Sequence, residues 1–321
     1  MVRVLVIGAT GCIGQAVALA LRKHSHIVYG LARNDAKGRL LARQEIIPII
    51  GSVEGGEYLL TVESANIDVV IDASGVFDAS WEILEGLKSI GAARLQSRGT
   101  SLTPKLGFVY TSGTWVHSSS TKDHLNDLNP VGAKGDAGCP ASPPQLVSWR
   151  PRLEADILAP KDVLDVAIVR PGLVYGNESS TWSLWFSRIA QAQAEGASSV
   201  ELEADSDAIL LLIHVNELAE AYVKVASQIS RLSNGGVHPV FDVVGSRENL
   251  GLILKEVAKA LNFQGDLRIV PAQDPFHVAM STGARLDSTR LRDLLGWESK
   301  RAFGFLDEVE MLTAAWQAGA Q

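Results

Sequence analysis

The chain has 321 residues, of which 46% are apolar and 20% charged, so it can bury a large core and is not disordered. Its 29 basic and 36 acidic side chains leave a net charge of −7, which argues against a nucleic-acid groove or an anionic membrane surface as partner. Two cysteines, Cys12 and Cys139, cannot build a disulfide framework and fit a reducing, cytoplasmic compartment.

Val2–Ile7 is a β-branched run, apolar on both faces, and reads as a strand buried in a parallel sheet. The uncharged stretch from Val4 to Leu21, preceded by Arg3, superficially resembles a signal peptide. Gly8, Gly11 and Gly14 interrupt it and would weaken an apolar helix, so no membrane segment is expected there. Gln15–Arg22 reads as a helix, and strand-like runs follow at His26–Ala32, Ile46–Ile50, Val69–Ala73, Gly107–Tyr110 and Val166–Arg170. The segments between them are mostly long enough for helices. That alternation predicts βαβ units and a doubly wound, Rossmann-type α/β sheet.

Ser118–Val147 breaks the rhythm: it is polar, carries Pro130, Pro140, Pro143 and Pro144, and reads as a long binding loop or a surface insertion. Further on, helices are expected at Thr181–Ala194, Asn216–Ala226, Leu250–Leu261, Ser288–Leu295 and Phe305–Ala318, with a strand at Phe241–Val244. The expected division is a dinucleotide-binding domain over 1–176, with 212–245 returning to it. A smaller C-terminal α/β substrate lobe takes 177–211 and 246–321.

The sharpest motif is Gly8-Ala9-Thr10-Gly11-Cys12-Ile13-Gly14, between the first strand and the first helix. Glycines there free the turn, let a pyrophosphate approach main-chain nitrogens and allow helix and sheet to pack closely. The helix start offers free N–H groups and a positive dipole end, so Gly8, Thr10, Gly11, Cys12, Ile13 and Gly14 are candidate cofactor contacts. The second strand ends with Arg33 where an NAD site usually has an acidic residue. Arginine suits a 2′-phosphate, so NADP is favoured over NAD.

Three longer segments, Gly8–Gly14, Phe108–Thr114 and Val169–Gly176, occur in order with Ile213–Ala219 and Leu291–Trp297. Together they resemble the extended, epimerase-like branch of the short-chain dehydrogenases/reductases (NAD-dependent epimerase/dehydratase-like). The resemblance implies a Rossmann domain, a substrate lobe and bound NAD(H) or NADP(H); such proteins are often homodimers. It also implies a Ser/Thr after the fifth strand and a Tyr-x-x-x-Lys pair on the next helix, where the ammonium lowers the phenol pKa for proton transfer.

Ser112 best matches the first position, with Thr111 and Thr114 beside it. The pair is missing: Ser148 stands where tyrosine belongs and Arg152 where lysine belongs. Arginine stays protonated and lacks the compact ammonium geometry. Ser112, Arg152 and His117, the last as a spare proton donor, are the candidate catalytic groups. Strand-end residues Asp72, Ala73, Ser74, Thr111, Pro171, Gly172 and Leu173, with Arg152, are expected to border the cofactor. Thr114, Trp115, Trp149 and Tyr175 are expected to face substrate. No metal-ligand spacing or nucleophile elbow is present. The expected activity is an NADP-dependent oxidoreductase acting on a small apolar carbonyl or alcohol, with an altered proton donor. A non-redox lyase or isomerase, or an NADP-binding regulator, are the alternatives.

Overall fold

The computed structural model describes residues 1–76, 79–98, 104–118, 124–177, 180–301 and 304–319. Its first half alternates β1 (Arg3–Ile7), α1 (Cys12–Lys23), β2 (Ile27–Ala32), α2 (Asp35–Arg43), β3 (Ile47–Ile50), α3 (Glu57–Ser64), β4 (Val69–Asp72), α4 (Ala79–Arg98) and β5 (Leu106–Thr111). After a short strand β6 (His124–Leu125) come α5 (Arg150–Leu158), β7 (Leu164–Pro171), β8 (Leu173–Tyr175), α6 (Ser180–Ala194), β9 (Ser199–Glu203), β10 (Ile209–His214), α7 (Val215–Asn234) and β11 (Val240–Val243). The chain ends with β12 (Ser246–Asn249), α8 (Leu250–Ala260), β13 (Asp266–Val270), α9 (Pro275–Met280), β14 (Arg285–Leu286), α10 (Thr289–Leu295) and α11 (Val309–Gly319).

Seven strands form one parallel sheet in the order β11-β7-β5-β4-β1-β2-β3. Both faces are buried because alternate residues serve opposite sides. Val4 and Val6 pack with α1 and α7, whereas Leu5 and Ile7 pack with side chains of α3, α4 and α5. All eight residues of β7 are buried. Truncating one such side chain to alanine is worth about 2–5 kcal/mol.

The late strands are less readable in the sequence. β10 pairs with β8 in parallel and β12 antiparallel, β9 pairs with β13, and β6 with β14. A second core collects Trp182, Trp185, Phe186 and Phe305 beneath them. The Trp182 indole donates to the Val174 carbonyl at 3.1 Å and Trp185 to the Glu203 carbonyl at 3.3 Å. Of the expected long loop, 119–123 lies outside the described residues. The rest carries β6 and two 3₁₀ turns, Asp136–Gly138 and Gln145–Val147.

Candidate active site

β1 delivers the chain into a left-handed turn at Gly8, where φ is +84°. A Cβ on Gly8 would stand 2.5 Å from the Ala73 carbonyl oxygen, and one on Gly14 would stand 2.1 Å from the Gly8 carbonyl oxygen. Both glycines are therefore required by the protein's own backbone. Gly11, whose N–H donates to Gly8 O at 2.9 Å, differs. A Cβ there would meet only Gly8 O, at 3.4 Å, an ordinary contact. Among the described residues nothing else lies within 4 Å of such a Cβ. Gly11 is also the N-cap of α1 and supplies no side-chain cap. The first amides and the positive dipole end of α1 fit a pyrophosphate.

Cys12 and Ile13, at the start of that helix, line a cleft of about 260 Å³. Ser112, Thr114 and Trp115, which follow β5, form another wall, and Pro171, Gly172 and Leu173, from the end of β7 to the start of β8, a third. Thr181 and Phe276 contribute from α6 and α9. The chain thus brings together eight of the residues singled out above. The Ser112 main-chain N–H donates to Val169 O at 2.8 Å, which pins its position against β7. Its Oγ is buried and has no hydrogen-bond partner among the described residues. An orphaned buried hydroxyl is uncommon and fits a group completed by ligand. Thr111 is otherwise engaged, its Oγ1 lying 2.6 Å from the Tyr222 hydroxyl.

Four other expected residues do not reach the cleft. Arg152 has an 86% exposed side chain and points to Asp156 at 3.9 Å. Trp149 packs against Trp81 with ring centroids 6.0 Å apart. Tyr175 is buried edge-on to Phe305 and His214. His117 is buried behind the wall, where its Nε2 meets the Asp242 carboxylate at 3.0 Å and Arg170 Nη1 at 3.3 Å. It belongs to a charged cluster in which Arg170 Nε donates to Glu154 at 3.0 Å and Arg290 pairs with Asp127 at 2.9 Å. Burial and the nearby Asp242 hold the Asp127 carboxyl above its ordinary range.

The residue that reaches the cleft from α5 is Arg150. It opens the helix, and Pro151 follows it in the first turn, where proline is tolerated. Ser148 lies before this start, exposed, with its hydroxyl donating to the Gln145 carbonyl at 2.9 Å. The Arg150 guanidinium passes 5.4 Å from the centroid of the Trp149 ring and close to Gly113. Its Nε is buried without a partner, and burial pulls its pKa below the ordinary arginine value. Alignment on a family pattern pointed two residues downstream; helix phase and the Pro151 boundary select Arg150 instead.

At the far end of the cradle, Arg33 is exposed just past β2, and no hydrogen bond or ion pair ties it down among the described residues. Thr10 is half-buried within the glycine turn. Asp72 is buried and accepts from Ser74 Oγ at 2.6 Å, Ser74 N at 3.0 Å and Ser80 Oγ at 3.0 Å. It braces the turn after β4, leaving the half-buried Ala73 and Ser74 on the rim. Elsewhere, Glu203, Asp274 and His277 bring three potential metal-ligand atoms within 4.8 Å of one another, a grouping that sequence spacing does not reveal. Two of them already have structural partners. Asp274 caps α9 through the Phe276 amide at 2.8 Å, and Glu203 accepts from the Gln273 amide at 3.1 Å.

The parallel sheet, the glycine turn and a cleft at the carboxyl ends of β1, β5 and β7 define a Rossmann-type α/β fold. Residues 4–93 match the model of the NAD dependent epimerase/dehydratase family. Among solved structures, the dTDP-glucose 4,6-dehydratase from Bacillus anthracis in complex with NAD is similar over 100% of this chain and 98% of that one. Its TM-score is 0.73 at 15% identity. The UDP-glucose-4-epimerase from Stenotrophomonas maltophila, with bound NAD and formylated UDP-arabinopyranose, covers 100% and 99% at TM-score 0.70 and 18% identity. The UDP-glucuronic acid 4-epimerase from Bacillus cereus, in complex with UDP-glucuronic acid and NAD, covers 98% and 99% at 0.70 and 14%. No curated protein matches the chain significantly. Among the described residues no helix is long and apolar enough to cross a membrane.

Proposed function

We propose that this protein is an NADP(H)-dependent oxidoreductase of the epimerase/dehydratase-like type, working on a small carbonyl or alcohol with apolar substituents in the cytoplasm. The observation that carries this reading is the joining of two features in one cleft: an uncapped α1 N-terminus and the orphaned Ser112 hydroxyl. Gly8, Gly11 and Gly14 would cradle the pyrophosphate, with Cys12 and Ile13 at the entry to the helix. Pro171, Gly172 and Leu173 would flank the nicotinamide. Arg33 would meet a 2′-phosphate, which favours NADP even though the solved relatives cited carry NAD. When bound, the nicotinamide supplies or accepts the hydride.

The chain's own contribution is orientation and charge. Ser112 Oγ donates to the reacting oxygen, and the Arg150 cation favours negative charge in the same space. Arginine does not give up its proton near neutrality, so it replaces a phenol as electrostatic support, and the proton is drawn from water. Trp115, Leu173 and Phe276 keep the substrate side apolar.

Calorimetric titration with NADPH and NADH, beside Arg33→Glu, tests the cofactor. Hydride transfer is then followed at 340 nm with a panel of aldehydes and ketones, beside Ser112→Ala. NADPH binding that fails in Arg33→Glu, with turnover lost in Ser112→Ala, is the expected result. Absence of binding by either dinucleotide removes the proposal. A second reading, a protein that binds the dinucleotide without turning it over, is favoured by one observation. No tyrosine or lysine is found among the described residues lining the cleft. Tight NADPH binding with no turnover on any carbonyl would select it.

A further inference from the structure

We propose that the cleft takes a small organic acid, with its carboxylate held by Arg150 and its adjacent carbonyl or hydroxyl by Ser112. This deepens, and rests on, the reading of the cleft as a dinucleotide-dependent site. The argument begins with a contrast between two inward-facing arginines. Arg170, with a side chain 3% exposed, is matched by Glu154 at 3.0 Å and by Asp242 at 3.9 Å. Arg150 has no carboxylate within ion-pair distance among the described residues, and its Nε lacks any hydrogen-bond partner. Glu154, four residues along the same helix, is the natural partner by helical spacing. It is committed to Arg170 instead.

Among the described residues, the cleft lining holds Arg150 and no aspartate or glutamate, in a chain whose net charge is −7. A guanidinium with a buried, unpartnered Nε and no ion pair among the described residues is unfavourable, and an incoming anion would relieve it. The fork geometry of arginine matches a planar carboxylate through two parallel hydrogen bonds. Ser112, the other unsatisfied polar group of the same wall, is placed to take an oxygen on the neighbouring carbon. Trp115, Leu173, Val174 and Phe276 form the remaining surface, so the acid carries an apolar or ring-bearing substituent. A cleft of about 260 Å³ suits a small acid and is below the usual range for larger ligands.

An anionic oxygen could also come from the cofactor's phosphates, and the test separates the two sources. Calorimetry with 3-phenylpropanoate and its amide, both inert to hydride transfer, is run on protein saturated with NADP⁺. The acid is expected to bind about tenfold or more tighter than the amide, the difference expected of one charge-assisted hydrogen-bonded pair. In R150M that preference vanishes while NADP⁺ affinity stays within about threefold; R150K keeps part of the preference. Equal binding of acid and amide to the wild type overturns the proposal, and this comparison needs no variant to fold. A loss of NADP⁺ affinity of about tenfold or more in R150M with the acid preference intact also overturns it and assigns Arg150 to the cofactor. If neither dinucleotide binds, the functional reading fails separately. The acid-to-amide ratio is then measured on the protein alone and judged by the same outcomes.

Discussion

Arg150 lies so close over Gly113 that a Cβ on the glycine would stand 2.7 Å from Nη1. The glycine backbone is extended there, with φ −179°, so alanine introduces no backbone strain. The obstacle is the tip of a flexible side chain, which can swing aside. Gly113→Ala is therefore expected to change stability by less than about 1 kcal/mol while displacing the guanidinium. Thermal melts beside ligand titrations check this; a large fall in melting temperature would show that the tip is rigidly held.

Gly11→Ala and Gly14→Ala separate a ligand's requirement from the fold's. A Cβ at 11 meets backbone only at 3.4 Å, whereas one at 14 would lie 2.1 Å from the Gly8 carbonyl oxygen. Gly14→Ala is expected to destabilise the protein by about 1–3 kcal/mol. Gly11→Ala should leave denaturant midpoints near wild type and weaken dinucleotide binding. Undiminished binding by Gly11→Ala would remove the pyrophosphate from that turn.

Arg33 is exposed beside the end of β2, and no hydrogen bond or ion pair holds it among the described residues. Arg33→Glu is expected to weaken NADPH by roughly tenfold to a hundredfold, the worth of a charged hydrogen bond to phosphate. NADH should be affected much less. Comparable losses for both dinucleotides would place Arg33 outside 2′-phosphate recognition.

Behind the wall, Glu154 neutralises the buried Arg170. Glu154→Gln leaves that cation without its charge partner and is expected to cost about 3–5 kcal/mol in urea unfolding. A loss below about 1 kcal/mol would mean that Asp242 alone suffices, at the level of an exposed pair.

His214 is an acid-sensitive group. Its buried ring caps α7, with Nδ1 accepting from the Asn216 amide at 3.2 Å. Burial, then the Arg301 charge, bring its pKa down from 6.5 to about 4. The folded state thus favours neutral imidazole. This contribution, about 2–3 kcal/mol, is fully present above pH 6.5 and is lost as the pH falls toward 4. His214→Asn keeps a capping acceptor and removes the titration. Its melting temperature should fall less steeply over that window than the wild type's.

The amino-acid order alone determined the strand–helix alternation, the glycine turn and the identity of most cleft walls. Those features are local: β-branched runs buried on both faces, a glycine spacing and strand ends announce themselves within a few residues. Ser112, Trp115 and Leu173 were legible for that reason. The short lobe strands were not, since β9 and β13 are five positions each of mixed polarity whose pairing is set by distant partners. Tertiary structure alone decided which side chains enter the cleft. Arg150 and Arg152 differ by two residues, about 200° around a helix, so one faces the cleft and the other water. His117 and Asp242 are 125 residues apart, and only the closing of the sheet makes them a buried pair. Side-chain direction and long-range pairing depend on packing that no single segment contains.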